Sequence, residues 1–281
     1  MTAYRRRGLG DMPPTGSPSR ACLRTSPMSQ PIAAKPQYAN WVSTKLIVAP
    51  FVLAVLLCGL SALSLWFAPP AVLVLACAGY FAYARRQFSA GEGDIQSKVQ
   101  GLVLDRLNWP GGGEVLDIGC GAGALAISVA RTHPVAHVVG VDRWGSGWEF
   151  SKAACETNAA AEGVAERVAF QQASAAALPF DAGVFDVVVS NLVFHEVRDV
   201  ADKRLLLKEA LRVLKKGGIF VFQDLFLWRR IYGDVDDLIG VIKGWGIAEA
   251  HFSPTNAAPF LPTALKLPFM LGAIGIIDGV K

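Results

Sequence analysis

Charge disappears from the chain between residues 46 and 84, where 39 positions read LIVAPFVLAVLLCGLSALSLWFAPPAVLVLACAGYFAYA. The first 23 of them, 46–68, span roughly 34 Å as a helix, enough for a bilayer core. Pro69 and Pro70 are expected to break that helix. The uncharged run 71–84 then returns over roughly 21 Å, which is short for a full crossing. Lys45 stands at one outer end and Arg85 and Arg86 at the other. A transmembrane helical hairpin over 45–86 is therefore expected, with both ends in the cytosol and the Pro-Pro tip outward or buried in the bilayer.

After a linker at 89–94 the pattern changes to short apolar runs alternating with amphipathic segments. A helix at about 95–107 and a WPGGG turn lead into strand 114–119, helix 124–132, strand 137–142 and helix 148–163. Strands 168–173 and 185–191, helix 203–214 and strand 218–226 follow. The C-terminal part offers helix 235–246, strand 247–253 and a last strand near 269–277. Strands alternating with helices predict an α/β domain over 87–281, with a parallel sheet covered on both faces.

Composition sharpens this division. The chain is 52% hydrophobic with a mean hydropathy of +0.37, high for an ordinary soluble enzyme and consistent with a membrane segment joined to a globular domain. The net charge of +4 is a property of the N-terminus. The first 45 residues hold seven basic side chains against Asp11, which leaves 20 basic and 22 acidic elsewhere. A nucleic-acid-binding face gains no support from such a balance. Residues 1–44, rich in Pro, Ser, Thr and Arg, read as a disordered basic tail in which Met28 is an alternative start. Five widely spaced cysteines and four histidines form neither a CxxC nor a metal-type pair, so no structural metal is expected.

The candidate chemistry begins at EVLDIGCGAG (114–123). A strand that ends in Gly119, Gly121 and Gly123 and restarts as a helix presents backbone amides and a positive helix end to a ligand. The spacing also fits dinucleotide binding. Asp117 argues against that ligand, because a carboxylate beside a pyrophosphate is repulsive, whereas a sulfonium amino-acid nucleoside would welcome it. Asp142 closes the next strand, where a carboxylate can accept both hydroxyls of a ribose.

LDIGCGAG (116–123), VVGVD (138–142), ALPF (177–180) with FDVVVSN (185–191), and LKEALRVLKKGGIF (207–220) together resemble the class I S-adenosylmethionine-dependent methyltransferases over about residues 95–226. Within them the chain is most similar to the small-molecule branch that includes quinone-biosynthesis C-methyltransferases. The resemblance implies a Rossmann-like seven-stranded sheet with an antiparallel last strand. It implies S-adenosyl-L-methionine as cofactor, with its methionine part at Asp117, Gly119 and Gly121 and its ribose at Asp142. Adenine would lie against Arg143 and the loop after the third strand. Ser174 stands where the family often carries an acid for the adenine amine, and can offer only a hydroxyl or a neighbouring carbonyl.

Methyl transfer needs a nucleophile held in line with the methyl group, and a base only when that nucleophile must lose a proton. In SNLVFHEVRD, Asn191 ends the fourth strand beside the crevice and His195 follows one turn later. His195 is the candidate base or orienting residue, although a loop histidine bonded to backbone is as common. Asp224 is a second catalytic candidate for which a turn cap is the commoner role. NLVF (191–194) lacks the prolines of nucleobase-methylating motifs. Trp144 and Trp148 stand either at the adenine or acceptor mouth or against the sheet, and Cys120 reads as a small filler. The apolar stretch 260–277 suits either a bilayer contact or a buried last strand.

These observations favour a membrane-anchored methyltransferase facing the cytosol, acting on a small hydrophobic acceptor such as a quinone precursor, isoprenoid or lipid. The alternative is a non-catalytic cofactor-binding scaffold. An NAD-dependent reductase is disfavoured by Asp117 and by the lack of a Tyr-x-x-x-Lys pair.

Overall fold

A strand that is apolar at consecutive positions is buried on both faces, and Val115–Leu116 and Val187–Val189 are such runs. The computed structural model describes residues 35–145 and 151–281. It places β1 (Gly112–Ile118) between β2 (Val135–Asp142) and β4 (Phe185–Asn191) in a seven-stranded sheet. With β3 (Val168–Gln172), β5 (Leu214–Asp224), β6 (Glu249–Pro254) and β7 (Gly275–Val280), the order is β3-β2-β1-β4-β5-β7-β6. The pairs among β1 to β5 are parallel, and β7 runs antiparallel to both β5 and β6. The strand order reverses at β1, so the crevice at its carboxyl end, between β2 and β4, is where such sheets bind ligands.

Helices cover both faces. On one, Leu206, Leu207 and Leu211 of α6 (Arg204–Val213) and Leu238 and Ile242 of α8 (Val235–Gly244) bury against Phe185, Phe220 and Phe222. On the other, Val103 of α3 (Ile95–Leu104), Leu125 and Val129 of α4 (Ala124–Thr132), and Cys155 and Ala159 of α5 (Lys152–Ala161) cover Val115, Val138 and Val187. Truncating one of these buried leucines to alanine costs about 2–5 kcal/mol. A short α7 (Arg229–Tyr232) follows β5.

Two helices packed on each other occupy the segment expected to form the hairpin, with boundaries unlike those expected. α1 (Lys45–Ser61) is 17 residues and α2 (Ala68–Phe88) is 21, about 26 and 32 Å long. Pro69 and Pro70 start α2 rather than breaking a helix, because proline needs no partner in the first turn. The chain reverses at Ala62–Phe67 instead, and the second leg, not the first, is the longer. One helical stretch, Leu65–Phe88, is long and apolar enough to cross a membrane.

Three further expectations are corrected. The last strand begins at Gly275, because the hydropathy peak around Phe269 belongs to the loop before it. β5 takes in Lys215 and Lys216, which fall between the expected helix 203–214 and strand 218–226, and the Lys215 ammonium pairs with Asp186 at 2.8 Å. Residues 35–44 are not a disordered tail. The Gln37 amide and carbonyl bond the Asn158 side chain at 2.7 and 3.0 Å, Trp41 and Ala39 bond Gln96, and Val42 is buried. Residues 1–34 and Trp148 lie outside the described residues.

Candidate active site

The glycine loop between β1 and α4 holds left-handed backbone at Gly119, Gly121 and Gly123, with φ of 74°, 57° and 84°. A methyl group at Gly119 would overlap the Val193 side chain, so the position needs glycine for both reasons. The loop's amides are largely consumed within the protein, contrary to the expectation that they face a ligand. Gly119 and Cys120 donate to the Val141 carbonyl at 2.7 and 3.0 Å, Gly123 donates to Cys120, and Gly121 donates to Asp142 Oδ2 at 2.9 Å. A pyrophosphate would find two carboxylates here and few free donors. That count strengthens the case against a dinucleotide.

Asp117 is buried and accepts the Ala126 N–H of α4 at 3.0 Å. Burial pushes its carboxyl up to about 7, opposed by the Ala126 N–H and assisted by the nearby Asp142. Asp142 is half-buried, and its second oxygen accepts from the Trp144 N–H at 3.0 Å. Each Asp142 oxygen keeps a second lone pair, so the carboxylate can shape the loop and still accept hydroxyls. Trp144 closes the arrangement, its indole N–H donating to the Gly121 carbonyl at 2.9 Å. Burial pushes the Cys120 thiol well above its usual range, which agrees with a filler and not a nucleophile.

Across the crevice, Leu192 has φ 58°, a strained left-handed turn at the end of β4. It carries the chain under the end of β5. There the wholly buried Asp224 accepts the Phe194 and Leu225 N–H groups at 2.8 and 2.6 Å and the His195 N–H at 3.4 Å. Asp224 Oδ1 also lies 2.6 Å from His195 Nδ1. Cap and histidine partner are thus one residue, and His195 is bonded to a carboxylate rather than to backbone alone. With Nδ1–H donated to Asp224, the lone pair is on Nε2. Burial alone would lower the His195 pKa, but the Asp224 charge and hydrogen bond override it and hold it above the ordinary value.

The rim beside Asp142 contains a residue with no signal in the sequence. Asp199 takes the Arg143 guanidinium on both oxygens at 2.9 and 2.7 Å and lies 3.4 Å from Ser174 Oγ. It brings a carboxylate to the position where Ser174 has none.

Asp117, Gly119, Gly121, Asp142, Arg143, Ser174, Asn191 and His195 all line one cavity of about 1170 Å³, with Gly123 and Asp224 just behind its wall. Asn191 Oδ1 is buried there with no hydrogen-bond partner among the described residues. An ammonium-bearing nucleoside without phosphate fits this end. Asp117 and the orphan Asn191 oxygen would face donors, and Asp142 would face hydroxyls.

The comparisons with known proteins agree. The family described as "Methyltransferase domain" matches residues 116–222. A ubiquinone/menaquinone biosynthesis C-methyltransferase of Desulfotalea psychrophila is 32% identical over 226 residues, 68% of this chain and 87% of that protein. The namesake enzyme of Geobacter sulfurreducens is 35% identical over 172 residues, and there the chain spans only 61% of the relative's length. Among solved structures, geranyl diphosphate C-methyltransferase from Streptomyces coelicolor, complexed with S-adenosyl-L-homocysteine, shares the fold. Its TM-score is 0.54 at 16% identity, over 68% of this chain and 81% of that one. The carboxylate-rich glycine loop, the sheet order with its reversed last strand and the Desulfotalea relative converge: the chain belongs to the class I S-adenosylmethionine-dependent methyltransferases.

Proposed function

We propose that this protein moves a methyl group from S-adenosyl-L-methionine to a small, apolar acceptor at a membrane, with His195 taking the acceptor's proton. One observation carries the reading: the His195–Asp224 pair opens into the same cavity as the glycine loop and Asp142. When bound, the cofactor would supply an electrophilic methyl on a sulfonium, the carbon–sulfur electron pair leaving on sulfur as the acceptor takes the methyl. Asp117, Asn191 and the loop orient the amino-acid end, Asp142 the ribose, and Arg143 and Ser174 the adenine rim. Asp224 fixes the His195 tautomer, so Nε2 receives the proton while Asp224 stays ionised and balances the imidazolium. The quinone pathways named for the similar C-methyltransferases support a nucleophile that is a carbon or oxygen made electron-rich by deprotonation.

Membrane attachment is supported by the hairpin surface. Leu63, Leu65 and Trp66 at its tip are 84%, 82% and 88% exposed, and Leu56, Val72 and Leu73 are exposed along its sides. An apolar surface of that extent marks a membrane or partner contact. With Lys45, Arg85 and Arg86 at the base, the catalytic domain sits on the cytosolic side. Reconstituting the full chain in lipid nanodiscs with methyl-labelled cofactor and a membrane extract tests the whole reading. Label in the organic-soluble fraction, abolished by His195→Ala with cofactor binding intact, is expected. Label only in water-soluble product overturns the apolar acceptor. A cofactor-binding scaffold without turnover would leave the His195–Asp224 pair without a task.

A further inference from the structure

We infer that the hairpin builds one wall of the acceptor site, and that the site takes an amphiphile whose reactive polar head lies at His195 and whose long apolar tail enters from the bilayer. This rests on the methyltransferase reading above and goes beyond anchoring. The cavity that holds the glycine loop does not end at His195. It continues past Leu225 and Trp228 to Val42, Leu46, Phe81 and Phe269, so residues from before α1, from α1 and α2, and from the loop before β7 meet around one space. The polar lining residues of the chemical step cluster at the cofactor end, and the far end is mostly hydrocarbon.

The hairpin is set firmly enough to serve as a wall. Val42, Ala84 and Phe88 share a buried core with Ile95, Leu225, Leu265 and Ile274 of the catalytic domain. The Arg85 guanidinium bonds the Val42 carbonyl, Asn40 bonds the Arg85 carbonyl at 2.8 Å, and the Tyr80 hydroxyl bonds Ala264 at 3.0 Å. A hairpin tied through α2 and through the segment leading into α1 cannot swing as a tether would, so its base keeps its register against the site.

The position of the mouth selects the ligand. Leu46 is 44% and Phe269 56% exposed, and both continue into the exposed apolar surface of the hairpin. Leu46 follows Lys45 directly, and Phe81 lies about 6 Å along α2 from Arg85, toward the tip. If Lys45, Arg85 and Arg86 sit at the headgroups, the mouth opens at the edge of the acyl layer. A tail leaving there passes into lipid without crossing water, and each methylene kept from water favours binding by about fourfold. A short polar acceptor gains nothing from such a wall.

The test uses the full chain in phosphatidylcholine nanodiscs with S-adenosylhomocysteine bound, and 4-dodecylphenol carrying a diazirine in mid-chain as probe. Irradiation is expected to label Leu46, Phe81, Phe269 or Met270, and excess 4-dodecylphenol but not 4-butylphenol should suppress it. Narrowing the passage with Phe81→Trp or Met270→Trp should cut this labelling about tenfold while S-adenosylhomocysteine affinity stays within twofold. Labelling confined to outward positions such as Leu56 and Val72, unchanged by competitor, overturns the inference, as does wild-type labelling of both narrowed variants. Failure of the wild-type chain to bind S-adenosylhomocysteine would instead overturn the methyltransferase reading.

Discussion

The two ends of the cavity are made in opposite ways. The cofactor end comes from one short sequence stretch and the two strand ends beside it, and its polar groups are tied to each other: Asp142 to Gly121, Asp117 to α4, Trp144 back to the loop. The acceptor end is gathered from four distant segments whose only common property is hydrocarbon. Recognition of a fixed cofactor rewards rigid hydrogen-bond geometry, where one displaced atom costs an unsatisfied group. Recognition of an apolar tail rewards area, which many side chains can supply. Substitutions at the first end should therefore act steeply and singly, and at the second weakly and in sum.

The largest effect is expected where the two ends meet. His195→Ala should lower turnover by about 10²–10⁴ while the cofactor Kd stays within twofold, read by steady-state kinetics beside calorimetry. Asp224→Asn should do nearly as much, since the amide can no longer hold the neutral tautomer. The pH profile supplies the sign. Only neutral His195 accepts a proton, so turnover falls as pH drops through a value above the ordinary histidine range, and Asp224→Asn should move that acid limb to lower pH. Stability runs the other way: the imidazolium–Asp224 pair stabilises the fold below the unfolded histidine pKa, and this is lost as pH rises through the raised folded value. A turnover profile flat down to pH 5 would remove His195 from the proton path.

Next comes Gly119→Ala. The left-handed backbone costs a side chain about 1–2 kcal/mol, and the overlap with Val193 adds to it, so cofactor affinity should fall about 100-fold. The matching change at the other end, Phe269→Ala, should leave cofactor affinity alone and raise the acceptor KM only severalfold. Equal losses from both would end the contrast.

That contrast also governs what was legible in the sequence. The sheet, its helices and the glycine loop repeat every two or 3.6 residues or sit at fixed spacing, so LDIGCGAG and VVGVD pointed to strands, loop and cofactor. The acceptor end could not be read, because Val42, Phe81, Leu225 and Phe269 are ordinary apolar residues until the fold brings them together. Residues 35–44 were hidden by a Pro- and Ser-rich context, although Tyr38, Trp41 and Val42 were an available sign of docking. The paired prolines misled about the hairpin tip, since Pro69 and Pro70 suit a first helical turn as well as a break. Asp199 had no local signature, because its meaning comes from Arg143 and Ser174 across the crevice.

A smaller effect is expected from Asp117. Its carboxyl is pushed up to about 7 by burial, so near neutrality part of the protein is protonated there. A bound ammonium favours the carboxylate, so cofactor binding should release a proton. Affinity should rise up to about tenfold per pH unit below 7 and level off above it. Without ligand the sign is that of a carboxylate with a raised pKa: the folded state holds the proton more tightly, so stability declines as pH rises from the unfolded value toward 7. Calorimetry in buffers of different ionisation enthalpy reads the proton directly. Uptake, or none, would mean that Asp117 faces only α4.

The smallest effect belongs to the rim. Arg143 is paired with Asp199 over two oxygens, but their side chains are 68% and 41% exposed, and such pairs contribute about 0–1 kcal/mol. Arg143→Ala should leave thermal stability nearly unchanged. It also frees Asp199, which then carries an unpaired carboxylate 3.4 Å from Ser174 Oγ. If that carboxylate serves the adenine amine, Arg143→Ala should weaken cofactor binding less than Asp199→Ala does, each by a few-fold, and added salt should narrow the difference. Equal effects would mean that the ion pair acts only as a strap between the two loops. An Asp199→Ala variant that binds like the wild type would leave adenine to Ser174 and the backbone, and the rim would then tolerate exchange as freely as the hydrocarbon wall opposite.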